Sequence, residues 1–294
     1  MQAPSPSPPA KLNALAGPFT PILSKTPTKP KFGIQTRPEK GIKRKSKKTI
    51  LIPQAPANDQ ARNDDRPRQP PSKSSGGIPS PSTTYLTRTL PRPTSLPVPR
   101  RILVILDLNG TLLFRPSRNH PSRFVERPHA RPFLNYCLDT FRLAIWSSAR
   151  PQNVNNMVCQ LLTPEQRGRC VVIWARDKLG LSNDDYNARV QVYKRLSQLW
   201  NDRHVRDSHP EAGAGGRWDQ SNTVLVDDSF EKGRSEPYNI LPIPEFAGLH
   251  VEPPNVLPQV HDYLNQLCHQ ADVSRYMREN PFGLDQGYRL TNES

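Results

Sequence analysis

The sequence predicts an α/β fold, in which a parallel β-sheet carries helices on both faces and a long disordered tail precedes the domain. Two observations predict this arrangement. Short apolar runs alternate with amphipathic segments between residues 102 and 270. Proline and basic residues are concentrated before residue 100, where neither a helical nor a strand period is sustained.

The N-terminal third differs in composition from the rest of the chain. Residues 1–100 hold 20 of the 34 prolines and 18 Lys/Arg against 4 Asp/Glu, a net charge of +14. The other 194 residues hold 23 Lys/Arg against 22 Asp/Glu, a net charge of +1. Such a basic, proline-rich segment buries too little apolar surface to fold by itself. The sequence therefore predicts a tail over 1–100, a domain over 101–275 and a C-terminal extension over 276–294.

A basic cluster in the tail bears on localisation. Residues 43–48 read KRKSKK, which is typical of a nuclear localisation signal or a nucleic-acid contact, although a solvated linker has the same composition. We expect a nuclear protein. A mitochondrial protein, with the tail contacting an import receptor, is the alternative, because the first 38 residues are basic and lack acidic residues. Since no apolar run approaches ~18 residues, no membrane span is expected. The oligomeric state is not predicted.

Four runs are predicted to be strands. Residues 102–106 (ILVIL) are short, apolar and rich in β-branched side chains, which favours a central strand buried on both faces. Three further runs share this character, at 141–146, 170–174 and 223–226.

Four segments between and after these strands are predicted to be helices from the spacing of their apolar residues. They cover residues 132–140, 153–162, 187–200 and 257–270. Residues 115–132 and 201–221 are polar or rich in Pro and Gly, and are expected to be loops.

Polar residues follow three of the predicted strands. Because the carboxyl ends of parallel strands meet at one edge of a sheet, these residues are expected to lie together with a lysine from the third helix. They are Asp107, Asn109, Gly110 and Thr111 after the first strand, Ser147 and Ser148 after the second, Asp227 and Asp228 after the fourth, and Lys194.

This set of side chains suits phosphoryl transfer. Clustered carboxylates repel one another unless a cation lies between them, and oxygen ligands favour Mg²⁺. A hydroxyl and an ammonium group bind phosphate oxygens. A carboxylate that attacks phosphorus divides hydrolysis into two easier steps through an aspartyl-phosphate.

The order of these motifs resembles the HAD superfamily of aspartate-nucleophile phosphotransferases. Residues 107–111 read DLNGT, 146–149 read WSSA and 226–229 read VDDS, with a lysine between the last two motifs. Residues 126–149 resemble more narrowly the FCP/SCP homology domain, also called NLI-interacting-factor-like. That family dephosphorylates phosphoserine in protein tails, notably the C-terminal repeats of RNA polymerase II. The resemblance covers about residues 101–270 and implies a HAD-like, Rossmann-type fold.

The resemblance also implies roles for individual residues. Asp107 corresponds to the nucleophile and a metal ligand, and Asn109 binds the metal through its backbone carbonyl. Asp228 is the further metal ligand, directly or through water, and Asp227 is its neighbour in the metal shell.

The remaining positions correspond to phosphate-binding residues of the family. Ser147 is implied to bind phosphate, with Ser148 as the alternative. Lys194 is the phosphate-side lysine, with Lys178 as the less favoured candidate. Gly110 and Thr111 lie in the loop that wraps the phosphate.

Asn109 departs from the family, whose first motif is Asp-x-Asp. The second Asp protonates the leaving group and then activates water, which a carboxamide cannot do. Three interpretations follow: a slow phosphatase for phosphoserine or phosphothreonine, a scaffold or pseudophosphatase that binds phosphoproteins, or a relative of the receptor subunit of the mitochondrial inner-membrane translocase. The last ranks third because that branch carries a membrane anchor and tends to lose the nucleophile.

The spacing between the motifs predicts an open site. The 36 residues from Thr111 to Trp146 are needed for a loop, a helix and a strand, and no room remains for a cap domain between Ser148 and Lys194. An open site suits a phosphorylated protein segment better than a small metabolite.

Overall fold

Five parallel strands form the main sheet, in the order β5-β4-β1-β6-β7. Strand β1 (Leu103–Leu106) lies in the middle, between β4 (Arg142–Trp146) and β6 (Thr223–Asp227). Strands β5 (Ile173–Trp174) and β7 (Ile240–Pro242) form the edges. This computed structural model describes residues 68–117 and 123–290.

Both faces of the sheet are covered, which confirms the predicted fold class. Val104 and Leu106 point into one apolar core, and Leu103 and Ile105 point into a second core on the opposite face. This alternation follows from the two-residue period of a strand. The first core is closed by α2 (Ala130–Thr140), α3 (Pro151–Leu161) and α8 (Val256–Cys268), and the second by α6 (Leu196–Asn201) and α7 (Arg203–Asp207). The other described helices are α1 (Thr83–Thr89), α4 (Pro164–Arg169), α5 (Asn183–Asn187) and α9 (Val273–Glu279).

The predicted loops contain short elements. Strands β2 (Leu113–Phe114) and β3 (Val125–Glu126) pair in an antiparallel ladder directly after the β1 motif. Helix α2 begins inside the predicted loop over 115–132, and α7 lies inside the one over 201–221. Elements of two to five residues are too short to show a hydrophobic period, so the pattern could not distinguish them from loop.

The helix predicted over 187–200 is wrong in its first half. Helix α5 ends at Asn187, residues 188–195 are not helical, and only α6 is helical in the remainder. Val192, Tyr193 and Lys194 are buried in succession, which a helix with one covered face does not allow. The backbone of this segment pairs instead with a distant segment through a parallel bridge between Gln69 and Val190.

The predicted end of the tail at residue 100 is also corrected, because residues 68–100 fold against the domain. From Gln69 onward the described chain belongs to one compact unit. Helix α1 is capped by Ser82, whose Oγ accepts a hydrogen bond from Tyr85 N at 3.1 Å. The buried Tyr85 hydroxyl donates to Asn239 Oδ1 at 2.9 Å. The high proline content favoured a prediction of disorder, and composition does not reveal the contacts of individual side chains.

The predicted boundary at residue 275 falls inside α9. The chain after α9 packs on α8, since Asp285 N donates to Gln259 Oε1 at 2.7 Å and the Tyr288 hydroxyl donates to Asp262 Oδ2 at 2.7 Å. The described part of the C-terminal extension is therefore part of the domain.

The basic cluster 43–48 and the rest of 1–67 lie outside the described residues. The nuclear, nucleic-acid and import-receptor interpretations of the tail therefore stay predictions. Among the residues described, no helix has the length and apolar character needed to cross a membrane.

Candidate active site

The carboxyl ends of β1, β4 and β6 meet at one edge of the sheet. Asp107 directly follows β1, Ser147 directly follows β4, and Asp227 is the last residue of β6. The backbone N–H of Asp107 donates to Val226 O at 3.1 Å, which ties the first of these strand ends to the third. All three residues are buried.

Three carboxylates form the centre of this site. Asp107, Asp227 and Asp228 each offer an oxygen atom, and these atoms lie within 4.8 Å of one another. Asp228 is half-buried, whereas the other two have almost no exposed surface. Three adjacent negative charges need positive partners to remain ionised together.

Lys194 is the first of these partners. It is fully buried, and its Nζ donates to Asp227 Oδ2 at 2.6 Å. The same Nζ lies 2.9 Å from Asp107 Oδ1 as an ion pair, although this oxygen accepts no hydrogen bond from the described residues. Lys194 thus reaches the carboxylates from the extended segment before α6, not from a helix. The alternative, Lys178, is exposed in the short turn Arg176–Lys178.

Lys232 is a second partner that sequence reasoning missed. Its Nζ lies between the three carboxylates, 2.7 Å from Asp227 Oδ1, 3.0 Å from Asp228 Oδ1 and 3.2 Å from Asp107 Oδ2. Lys232 belongs to the 3₁₀ turn Phe230–Gly233 that follows β6. Its position four residues after Asp228 was the available signal, because a helical turn brings such residues together.

The pKa values of the neighbouring carboxyl groups of Asp227 and Asp228 shift in opposite directions. Burial by itself raises the pKa of Asp227, but the ammonium groups of Lys194 and Lys232 outweigh burial and lower that pKa to about 2. The pKa of Asp228 is raised to about 7, mainly by burial. Lys232 lowers this pKa, whereas the negative charges of Asp227 and Asp107 raise it further. Burial lowers the pKa of the Lys232 amine, but the surrounding carboxylates raise it above its ordinary value.

This donor set fits a divalent cation with hard oxygen ligands. Three carboxylates face two ammonium groups, so the carboxylates outnumber the ammonium groups around the site. The two oxygens of Asp227 already accept hydrogen bonds from Lys194, Lys232 and Ser229 N, so they have little capacity left to bind a metal ion. Asp107 and Asp228 are therefore better placed than Asp227 to hold Mg²⁺, which prefers one or two carboxylates and retains waters.

The loop after Asp107 closes tightly over the carboxylates. Gly110 has a φ of +88°, and a Cβ at this position would lie 2.8 Å from Asp228 Cγ. Both the backbone conformation and the close approach therefore require glycine. The next residue, Thr111, is fully buried, and its Oγ1 has no hydrogen-bond partner among the described residues.

Asn109 is half-buried at the start of this loop. Its Oδ1 accepts hydrogen bonds from Arg115 N at 3.1 Å and from Arg115 Nε at 3.4 Å. The amide side chain thus fixes the loop geometry. It does not titrate near neutral pH, so it cannot serve as a general acid or base.

The two serines lie at the end of β4. Ser147 N donates to Trp174 O at 2.9 Å, and Ser147 Oγ accepts from Ala149 N at 3.3 Å. Ser148 is half-buried. The contacts that join the carboxylate cluster run through Lys194 and Lys232, whereas the serines lie at the neighbouring strand end.

Arg127 stabilises the loop that follows Asp107 through hydrogen bonds. Its guanidinium pairs with Glu252, donating from Nε at 2.6 Å and from Nη2 at 3.2 Å, and it also donates to Thr111 O at 2.9 Å. The neighbouring segment is linked to the loop by Phe246 N, which donates to Gly110 O at 2.7 Å. Arg127 lies within residues 126–149, and the sequence by itself indicated no role for its side chain.

Comparison with known proteins gives a consistent result. Residues 102–274 match the family described as NLI interacting factor-like phosphatase. A fission yeast protein (Schizosaccharomyces pombe), described as an uncharacterized FCP1 homology domain-containing protein, is 34% identical over 215 residues, covering 69% of this chain and 86% of that protein.

Two solved structures are more distant. One is a variant of the fission yeast RNA polymerase II CTD phosphatase Fcp1 bound to beryllium fluoride, with 13% identity, a TM-score of 0.34, and coverage of 50% of this chain and 42% of that chain. The other, Fcp1 described as an essential RNA polymerase II CTD phosphatase, has 16% identity, a TM-score of 0.33, and coverage of 61% and 52%. This chain thus spans about half the length of each.

The family match contains the central sheet and every residue of the carboxylate and lysine cluster. The chain belongs to the NLI interacting factor-like phosphatase family, the FCP1-type branch of the HAD superfamily.

Proposed function

We propose that the domain is a Mg²⁺-dependent phosphoserine or phosphothreonine protein phosphatase that acts slowly through an aspartyl-phosphate on Asp107. The observation that carries this proposal is the position of the Asp107 carboxylate. It is buried at a strand end, with Lys194 on one oxygen and Lys232 on the other.

The two lysines prepare Asp107 for attack. Their ammonium groups lie against both oxygens of its carboxylate and fix its direction. In the first step an oxygen of Asp107 forms a bond to phosphorus while the bond from phosphorus to the serine or threonine oxygen breaks. In the second step water attacks the phosphorus of the aspartyl-phosphate, which releases phosphate and restores the carboxylate. Lys194 and Lys232 neutralise charge on the phosphoryl oxygens in both steps.

Mg²⁺ would be held by Asp107, Asp228 and the backbone carbonyl of Asn109. When bound, it neutralises phosphate oxygens and orients them for in-line displacement. In this proposal the Thr111 hydroxyl, the backbone around Gly110 and the Ser147 hydroxyl bind the same oxygens. Because Thr111 Oγ1 has no hydrogen-bond partner in the described part of the chain, its hydroxyl supports this role.

Asn109 limits the rate. Without an acid, the departing alkoxide takes its proton from water, and without a base the second step relies on unassisted water. General acid–base catalysis is typically worth ~10²–10⁴-fold, so this domain turns over slowly.

The form of the site favours a protein substrate. Among the described residues, only the β2–β3 ladder and α2 separate β1 from β4, and no separate cap domain is present. A phosphorylated protein segment can reach such an open site, whereas a small metabolite would leave much of it exposed to water.

A second function is supported by Asn109 itself. Its Oδ1 accepts from Arg115, while the lysines that would bind phosphate and the carboxylates that would hold Mg²⁺ remain in place. A scaffold or pseudophosphatase that binds phosphoproteins without turnover is therefore the alternative. The nuclear location and the translocase-receptor alternative differ in where a tagged full-length chain accumulates, which is the nucleus for the first and mitochondria for the second.

The decisive assay is Mg²⁺-dependent phosphate release from a phosphoserine peptide and from an aryl phosphate. We expect slow release by the wild type, loss of release on chelation, and no release by Asp107→Asn. An intact-mass measurement should first exclude deamidation of Asn109. Tight peptide binding without phosphate release would instead establish the binding function.

A further inference from the structure

We infer that residues 69–77, here called the strap, are a positioning element of the active site that holds Lys194 against Asp107 and Asp227. The strap lies outside the family match, which begins at residue 102. The inference rests on the proposed role of Lys194 in phosphoryl transfer, and its test does not depend on turnover.

The strap forms hydrogen bonds with residues on both sides of Lys194. On the N-terminal side, Gln69 forms a parallel bridge with Val190, and Gln191 N donates to Gln69 O at 2.7 Å. On the C-terminal side, Arg195 Nη2 donates to Gly76 O at 3.0 Å and to Gly77 O at 2.9 Å.

A second group of hydrogen bonds joins the strap to Asp185 and Ser182, which precede Lys194 in the chain. The carboxylate of Asp185, a buried residue of α5, accepts through Oδ2 from Ser72 N at 2.8 Å and from Ser72 Oγ at 2.6 Å. The buried Ser75 hydroxyl also donates to Asp185 Oδ2, and Ser75 Oγ accepts from Ser182 N at 2.9 Å.

The strap backbone is shaped for these contacts. Gly76 and Gly77 have φ values of +78° and +55°, a region that side-chain-bearing residues seldom adopt. A Cβ on Gly76 would lie 2.9 Å from Arg195 Nη2. The turn therefore depends on glycine at the point where the strap meets the residue next to Lys194.

Residues 188–195 need an external support of this kind. The segment is not helical and lies outside the strands of the sheet, so few of its own backbone groups hold it. Yet it places a fully buried ammonium group 2.6 Å from Asp227 Oδ2. Lysine side chains are flexible, so this placement needs a fixed backbone at both flanks. Within the described residues, Lys194 N donates to Lys232 O at 2.7 Å and Leu196 N donates to Glu236 Oε2 at 3.0 Å. The strap adds the Gln69 contact with the Gln191 backbone on one flank and holds the Arg195 side chain on the other.

The test uses the full chain with Ser72→Asp, which places a second carboxylate against Asp185 and detaches the strap. Ser80→Asp, an exposed position beyond the strap, adds the same charge as a control. Gly76→Val detaches the strap by a different route. Two readouts are compared: amide hydrogen exchange of residues 189–195, with α8 as a reference, and acylation of the Lys194 amine by a water-soluble reagent, with the exposed Lys178 as a reference.

We expect both strap variants to speed exchange in 189–195 and acylation of Lys194 by about tenfold or more, with exchange in α8 unchanged, because only a local opening is released. Ser80→Asp should behave like the wild type. Unchanged acylation of Lys194 would overturn the inference. An equal rise in α8 exchange would also overturn it, since the strap would then be an ordinary stabilising segment.

Discussion

Replacing Asn109 with Asp should restore the proton-transfer group that the site lacks. The substitution changes one atom and keeps an oxygen to accept from Arg115 N and Nε, now 3.1 and 3.4 Å from Asn109 Oδ1. The second oxygen is free to exchange a proton. General acid–base catalysis sets the gain in turnover at ~10²–10⁴-fold.

The contact with Arg115 decides which step gains more. A guanidinium beside a carboxylate favours its ionised form, so the new group serves better as a base than as an acid. Hydrolysis of the aspartyl-phosphate, which needs a base, should gain near the upper end of this range. Departure of a serine alkoxide, which needs an acid, should gain near the lower end.

Rapid-mixing kinetics with an aryl phosphate separate the two steps. The aryl oxygen leaves without an acid, so the wild type should release about one equivalent of phenol per site in a burst and then turn over slowly. Asn109→Asp should remove the burst and raise the steady-state rate. Asn109→Ala, which adds no carboxylate, is the control. A wild type without a burst, or an Asn109→Asp variant no faster than Asn109→Ala, would refute the reasoning.

Three further predictions concern residues around the nucleophile. Lys232→Met removes a positive charge 3.0 Å from Asp228 Oδ1, so calorimetry should show Mg²⁺ binding about tenfold tighter, and weaker binding would contradict the assigned ligands. Arg127→Met leaves the buried carboxylate of Glu252 unpaired and should lower the free energy of unfolding by about 3–5 kcal/mol in urea titrations, whereas a simultaneous Glu252→Leu should recover much of that loss. Gly110→Ala forces an L-residue into a left-handed conformation at a cost of about 1–2 kcal/mol and presses on Asp228, so phosphate release should fall while the fold persists by circular dichroism.

The sheet and its strand ends could be predicted because their signals are local. A strand buried on both faces must be apolar throughout. The composition of residues 102–106 therefore predicts a buried strand without knowledge of the elements that pack against it. The chemistry at the strand ends follows from the topology of any parallel sheet. That is why Asp107, Asp227 and Asp228 were placed together without knowledge of distances.

The errors arise where distant residues determine the local structure. The conformation of 188–195 depends on Gln69, more than one hundred residues earlier, and its apolar spacing by itself favours a helix. Residues 68–100 have the composition of a disordered tail, but Tyr85 and the strap serines anchor them in ways that composition does not reveal. Lys232 gains its role only because the turn after β6 folds back over the carboxylates.

The most direct test of the account is a search for a phosphoryl group on Asp107. The full chain is mixed with an aryl phosphate and Mg²⁺, quenched in acid, digested and analysed by mass spectrometry. Because Asn109 leaves the second step without a base, the aspartyl-phosphate should accumulate, and the peptide that contains Asp107 should gain the mass of one phosphoryl group. Asp107→Asn should show no gain. A phosphoryl group on another residue, or phosphate release without any labelled peptide, would contradict the assignment of Asp107 as the nucleophile.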